Sequence, residues 1–254
     1  MGGPFPVLPP DTLRVDYEVI PLRVMDGCPH RCRFCRFKTA SSFNIRKRQE
    51  ILDQLRCLGL FYGEDLVNYN SLVLGENNAL AVGIDLLEFA AEKAFEMLSF
   101  GKSYYPGEPN LFLFGSADLL LKTTESAFSR LNALPYHLYL NIGLESPVED
   151  TLNAIGKTSS GATVREAFQK ALHLNRTYPR IHVTSNFVLG NSLSPRHVEG
   201  LKALLSDAGP RQEKATVYLS PLFEASEKRQ ILREFREIKR ASPLPVYLYL
   251  MQRL

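Results

Sequence analysis

Asp26-Gly27-Cys28-Pro29-His30-Arg31-Cys32-Arg33-Phe34-Cys35 carries three of the chain's four cysteines at a C-x3-C-x2-C spacing. Cuboidal iron–sulfur clusters are held by cysteine thiolates, and four such ligands would occupy all four irons. Three thiolates on one short loop can hold three irons of a [4Fe–4S] cube and leave the fourth open to a ligand. An open coordination position separates a reactive metal centre from a structural one. The loop reads as a reaction centre. The alternative is a zinc site made by these cysteines with His30, although zinc motifs more often present two separated pairs of ligands.

Outward from this loop, short β-rich apolar runs alternate with longer amphipathic segments, the pattern of βαβ units on a parallel sheet. Residues 1–16 are rich in proline and glycine and read as an extended N-terminal arm. The first strand falls near Tyr17–Met25 and delivers the chain to the cysteines. A helix follows near Asn44–Leu58, with Ile51, Leu52, Leu55 and Leu58 on one side at helical spacing. The pattern then predicts strands at Ser71–Leu74, Leu111–Phe114, His137–Ile142, Ile181–Leu189 and Ala215–Leu219. Helices are expected at Ile84–Phe100, Asp118–Leu131, Val148–Ile155, Val164–Asn175, Pro195–Ser206 and Ala225–Arg240. The last apolar run, Leu244–Met251, is a seventh strand or a closing flap. The reading is a single α/β domain, a partial (βα)6 TIM-like barrel with a mostly parallel sheet. Its core is expected over residues 17–222, with 223–254 as a C-terminal helix and final strand packed on it.

C-x3-C-x2-C with an aromatic residue, Phe34, just before the third cysteine resembles the signature of the radical S-adenosylmethionine (radical SAM) enzymes. The six βα units, with the cysteine loop after the first strand, are similar to that family's fold. The resemblance implies that Cys28, Cys32 and Cys35 ligate a [4Fe–4S] cluster and that Phe34 lies near the adenine. It also implies that the open iron chelates S-adenosylmethionine. The reduced cluster would split it to methionine and a 5′-deoxyadenosyl radical, which abstracts hydrogen from a substrate. That substrate, a small molecule or a peptide, is not readable here. An electron donor such as flavodoxin or ferredoxin is implied as a partner. The alternative from another class is a non-enzymatic iron–sulfur or zinc module for electron transfer or sensing.

In α/β barrels the active site sits in the loops after the strands, which sorts the remaining candidates. Leu74-Gly75-Glu76-Asn77-Asn78 follows strand two and resembles the family's Gly-Gly-Glu element, with Leu74 at the first glycine. The resemblance implies that Gly75 and Glu76 receive the methionyl amino group; a turn with a capping Asn is the other reading. Ser116 and Asp118 follow strand three, as ligand contacts or as caps of the next helix. Ile142-Gly143-Leu144-Glu145-Ser146, with Gly156-Lys157 downstream, is similar to a family segment whose Glu faces S-adenosylmethionine. Asn186 and Val188 stand at the first Gly and the Ile of the family's adenine-packing Gly-x-Ile-x-Gly segment. Ile155-Gly156-Lys157-Thr158 looks like a P-loop, but Thr151 stands at the required earlier glycine and no strand leads in. Cys57, among apolar helix neighbours, reads as a buried structural thiol.

Bulk properties agree with this reading. A hydrophobic fraction of 45% and a charged fraction of 22% over 254 residues are ordinary for a globular domain. The sequence has no apolar run of transmembrane length. Its start, Met1 to Pro6, lacks a basic segment and an apolar core, so no signal peptide is expected and the location reads as cytoplasmic. Four cysteines are too few for a disulfide framework, and thiolate ligands need a reducing compartment. Ending at Gln252-Arg253-Leu254, the chain is expected to carry no appended RNA-binding or auxiliary-cluster domain. A net charge of +3 makes no case for nucleic acid. Arg31, Arg33, Arg36, Lys38, Arg46, Lys47 and Arg48 gather near the cysteines, as a solvated face that also compensates a charged cluster or as a landing surface for an acidic substrate.

Overall fold

A computed structural model describes residues 8–14, 19–30, 32–35, 42–75, 77–190, 193–222 and 228–249. Nine strands and eight α-helices occupy them. Strands β1 (Ile20–Leu22), β4 (Ser71–Leu74), β5 (Asn110–Ser116), β6 (His137–Glu145), β7 (Ile181–Leu189), β8 (Val217–Pro221) and β9 (Val246–Leu248) form one sheet in that order. Every neighbouring pair in it is parallel. The last apolar run is therefore a seventh strand, paired to β8 through Val217 and Val246. The order is linear, leaving an α/β sheet open between β1 and β9 among the described residues.

Both faces of the strands are covered, so their sequences read as nearly unbroken apolar runs. Side chains nevertheless sort by the two-residue period of the strand. Leu72, Leu74, Leu111, Leu113, Leu138 and Leu140 pack against helical residues such as Ala90, Ala94 and Phe168. Val73 and Phe112 face the other way and join Val19, Tyr139 and Leu8. Leu8 comes from the N-terminal segment, which thus lies against the inner face of the sheet. Residues Pro10–Arg14 of that segment form a turn of 3-10 helix, where an extended arm was expected.

A two-stranded ladder pinches the base of the cysteine loop. Strand β2 (Met25–Asp26) runs antiparallel to β3 (Asn44–Ile45), and Arg46 clamps Asp26 bidentately, Nε–Oδ2 3.0 Å and Nη2–Oδ1 2.7 Å. Asn44 and Ile45, read as helix, are drawn into this pairing. Helix α1 (Arg48–Tyr62) starts after it, where the Glu50 carboxylate accepts from the Lys47 N–H at 2.6 Å. Its buried stripe is Ile51, Leu55 and Leu58. Cys57 lies about 100° of helix rotation from Leu58 and off that stripe, so it is exposed, not a buried thiol. Of the basic residues near the cysteines, Arg48 covers the Phe89 ring, and Arg31, Arg36 and Lys38 lie outside the described residues.

Helices α2 (Ile84–Met97), α3 (Ala117–Lys122), α4 (Glu125–Ala133), α5 (Glu149–Ile155), α6 (Gly161–Thr177), α7 (His197–Ser206) and α8 (Lys228–Ala241) complete the layer. The single helix expected over Asp118–Leu131 is split into α3 and α4. Thr124 takes the extended conformation of an N-cap and its hydroxyl accepts from Ala127 N–H at 3.3 Å, so a new helix begins there.

Candidate active site

The C-terminal ends of β5 to β8 and the cysteine loop enclose one cavity of about 190 Å3. Cys28, Cys32 and Cys35 line it together with Phe34 and His30. Gly27, at φ 72°, turns the chain into this loop, a backbone region that glycine enters without penalty. All three cysteines are partly buried. Burial raises the Cys28 pKa, and the neighbouring Cys32 adds to this against the His30 N–H and Lys157. Burial likewise raises Cys32, while Lys157 pulls it back. Metallation of such thiols therefore releases protons.

The loop is braced from behind by α5. Arg33 N–H donates to the Ile155 carbonyl at 2.9 Å, and a Cβ on Gly156 would stand 2.7 Å from Arg33 Cγ. Gly156 ends the helix in the left-handed conformation, φ 72°, the usual glycine stop. That stop turns Lys157 back into the cavity. Its Nζ lies 3.2 Å from Glu145 Oε1 and 3.3 Å from the Gly143 carbonyl. Burial alone would lower the Lys157 pKa, but Glu145, Cys32 and Asp118 together outweigh it and hold the group raised. Lys157 is a partly buried, charged ammonium beside the thiols. The sequence reading gave it no role.

Glu145 ends β6 in a left-handed conformation, φ 62°, where the β6–β7 register also shifts. Such a conformation costs a non-glycine residue about 1–3 kcal/mol and survives only where its surroundings impose it. Its carboxylate is 5% exposed by residue; Oε1 meets Lys157 and Oε2 makes no hydrogen bond among the described residues. A buried carboxylate oxygen left without a donor is expensive. The residue lines the cavity.

The other expected residues divide. Ser116, Asn186 and Val188 all line the cavity. Ser116 occupies an N-cap position, yet its hydroxyl makes no cap bond and instead accepts from Asn78 Nδ2 at 2.9 Å. Asn186 Oδ1 accepts from Ser220 Oγ at 2.7 Å. Gly75 is not a lining residue. Its φ of 76° and its N–H bond to Leu22 O, 2.9 Å, shape the turn that brings Asn77 and Asn78 to the wall. Glu76 lies outside the described residues. Asp118 accepts from Ser159 Oγ at 2.8 Å and acts on Lys157 through its charge. His30 lines the cavity with a buried, unbonded Nε2 and a pKa lowered by burial first and Lys157 second.

Sequence reasoning missed Lys157, the Asn77–Asn78 pair, Asn141, and two residues from the chain's ends, Pro10 and Tyr249, which also line the cavity. The available signal for Lys157 was Gly156, a helix-stopping glycine ten residues beyond the motif that carries Glu145.

A family model described as the Radical SAM superfamily matches residues 22–205. The chain belongs to the radical SAM superfamily and is an enzyme. No curated protein matches the sequence. Among solved structures, a radical SAM methyltransferase from Sphaerobacter thermophilus is similar at TM-score 0.58 and 16% identity, over 91% of this chain and 65% of the other. The cobalamin-dependent S-adenosylmethionine radical enzyme OxsB matches at TM-score 0.53 and 17% identity, over 88% and 31%. Methylornithine synthase (PylB) matches at 0.54 and 10% identity, over 89% and 63%. At these identities the likeness concerns the fold, and the chain spans less than two thirds of each of these proteins. The family implies a [4Fe–4S] cluster, S-adenosylmethionine and a reductant. Among the described residues, no helix is long and apolar enough to cross a membrane.

Proposed function

We propose that this chain reductively cleaves S-adenosylmethionine at a [4Fe–4S] cluster held by Cys28, Cys32 and Cys35, and directs the resulting hydrogen abstraction at a substrate in the same cavity. The observation that carries this reading is the buried Glu145 carboxylate, one oxygen of it without a hydrogen bond among the described residues, on a residue that lines the cavity with the three thiols. S-adenosylmethionine would offer its amino and carboxylate groups to the open iron, the amino group keeping N–H donors to spare. Glu145 Oε2 is the acceptor for one of those N–H donors, and Lys157 offsets the negative charge gathered around it. The bound, reduced cluster would supply the one electron that the sulfonium needs.

The donors fit a cube better than a single ion. Among the described residues no three His, Cys, Asp or Glu side chains converge closely enough to hold one metal. A cube asks instead for one thiolate on each of three irons. Phe34 and Val188 present apolar surface for the adenine, and Ser116 and Asn186 present polar groups beside it. A primary radical requires water to be excluded once the cofactor and substrate fill the cavity. We assign the electron to a flavodoxin or ferredoxin.

The test is anaerobic reconstitution with iron and sulfide, followed by dithionite and S-adenosylmethionine. Release of 5′-deoxyadenosine is expected; a tightly held zinc with no cluster overturns the assignment. A second check concerns Gly143, where a Cβ would stand 2.6 Å from Glu145 Oε1. Gly143→Ala must push the carboxylate off Lys157. We expect S-adenosylmethionine to bind about tenfold more weakly, the value of one charge-assisted hydrogen bond. Iron content and melting temperature should stay near the parent's, because the displaced atom ends a side chain. Unchanged affinity by equilibrium dialysis would remove Glu145 from the cofactor site.

A further inference from the structure

One buried ring ties the tip of β6 to the tip of β7 directly behind the cavity wall. His197 is 1% exposed at the start of α7. Its Nε2 lies 2.8 Å from the Val188 carbonyl. A carbonyl can only accept, so Nε2 carries the proton. Nδ1 is then an acceptor, and Ser146 Oγ, 2.9 Å away, must donate to it. The same Oγ accepts from the Val148 N–H at 3.0 Å. The Val148 carbonyl, 3.5 Å from the same Oγ, is a longer second acceptor, and His197 Nδ1 is the nearer one. Burial also lowers the His197 pKa, which keeps the ring neutral.

The neighbouring residues are pinned from elsewhere. The Pro147 carbonyl accepts from Arg165 Nη1 at 2.9 Å, and Glu149 Oε2 accepts from the Gly161 N–H at 2.8 Å. A Cβ on Gly200 would stand 2.6 Å from Val148 Cγ2. Those contacts hold residues 147–149. His197 and the Val148 N–H both bond the side chain of Ser146, the residue next to Glu145, and His197 simultaneously holds Val188.

We propose that His197 is a positioning residue: acting through Ser146, it imposes the left-handed Glu145 backbone and so aims the free carboxylate oxygen at the cofactor's amino group. This rests on the reading of the cavity as the S-adenosylmethionine site. Nothing about His197 touches the cofactor itself; its effect is transmitted by one hydroxyl and one peptide.

Three variants test it on reconstituted protein: Ser146→Ala, His197→Leu and His197→Gln. Equilibrium dialysis gives the S-adenosylmethionine dissociation constant, and nitrogen NMR of the imidazole gives its tautomer. We expect a neutral Nε2–H ring in the parent. Ser146→Ala and His197→Leu should each weaken binding by about tenfold, and the double variant should be no weaker than either, because both break one chain. His197→Gln offers one donor and one acceptor and should recover most of the affinity. Iron content should be equal in all of them, a result that general unfolding would not give. If His197→Leu does not fold, Ser146→Ala, which deletes a single hydroxyl, decides the matter. Parental affinity in Ser146→Ala, or a ring protonated at Nδ1, overturns the proposal. A parent protein that binds no S-adenosylmethionine at all overturns the site reading instead, and the inference with it.

Discussion

Cys32→Ala is expected to leave a folded protein that holds no catalytically competent cluster and releases no 5′-deoxyadenosine. The thiol is only partly buried, so its loss opens no core cavity. It is the middle cysteine of the proposed ligand set, and its thiol feels the charges of both Lys157 and Glu145. Without it a cube has two protein ligands and no fixed orientation toward Glu145. Cleavage should fall by at least about a thousandfold, more than 4 kcal/mol of lost transition-state access. Iron analysis and product release after dithionite read both effects. Cys57→Ala is the control. Its thiol is exposed on α1, away from the cavity, and alanine suits a helix; iron and product should both match the parent. Product formation surviving in Cys32→Ala would mean that the cysteine loop is not the reaction centre.

What could be read in advance was what lies contiguous in the chain. The three cysteines fall within one loop, and Ser71–Leu74 and Ile181–Leu189 emerge as strands with the bounds their apolar runs predict. The end of β6 carries its Glu because strand ends open onto the mouth of an α/β sheet. What stayed hidden depends on backbone turns. Lys157 follows a glycine whose left-handed stop reverses the chain; on the sequence it is merely part of a failed P-loop. Asn78 reads as a helix cap, yet its amide is spent on Ser116 across 38 positions. The division of α3 from α4 was within reach, since Thr124 is an ordinary N-cap residue. His197 gave no warning: its partners Ser146 and Val188 adjoin it only once β6 and β7 are paired.

The N-terminal segment was read from its prolines and glycines as an arm, and its buried carboxylate predicts otherwise. Asp11 is fully buried. Its Oδ2 accepts from Thr184 Oγ1 at 2.7 Å and its Oδ1 from Tyr218 OH at 2.8 Å, on residues 173 and 207 positions away. Thr184 Oγ1 in turn accepts from Asn141 Nδ2 at 3.0 Å, and Asn141 lines the cavity. From the other end of the chain, Tyr249 OH donates to the Leu8 carbonyl at 3.1 Å. The segment therefore fills the inner face of an open sheet and, through Pro10, forms part of the cavity wall. Asp11→Ala strands two buried hydroxyls at about 1–3 kcal/mol each. We expect a loss of about 3 kcal/mol, or about 6–12 °C in melting temperature for a domain of this size. Asp11→Asn keeps the shape and one acceptor and should lose about half as much. Urea denaturation of the two variants beside the parent measures both. An Asp11→Ala midpoint that stays at the parent's value would show that the segment does not seal the sheet, and the cavity would then be open through its floor.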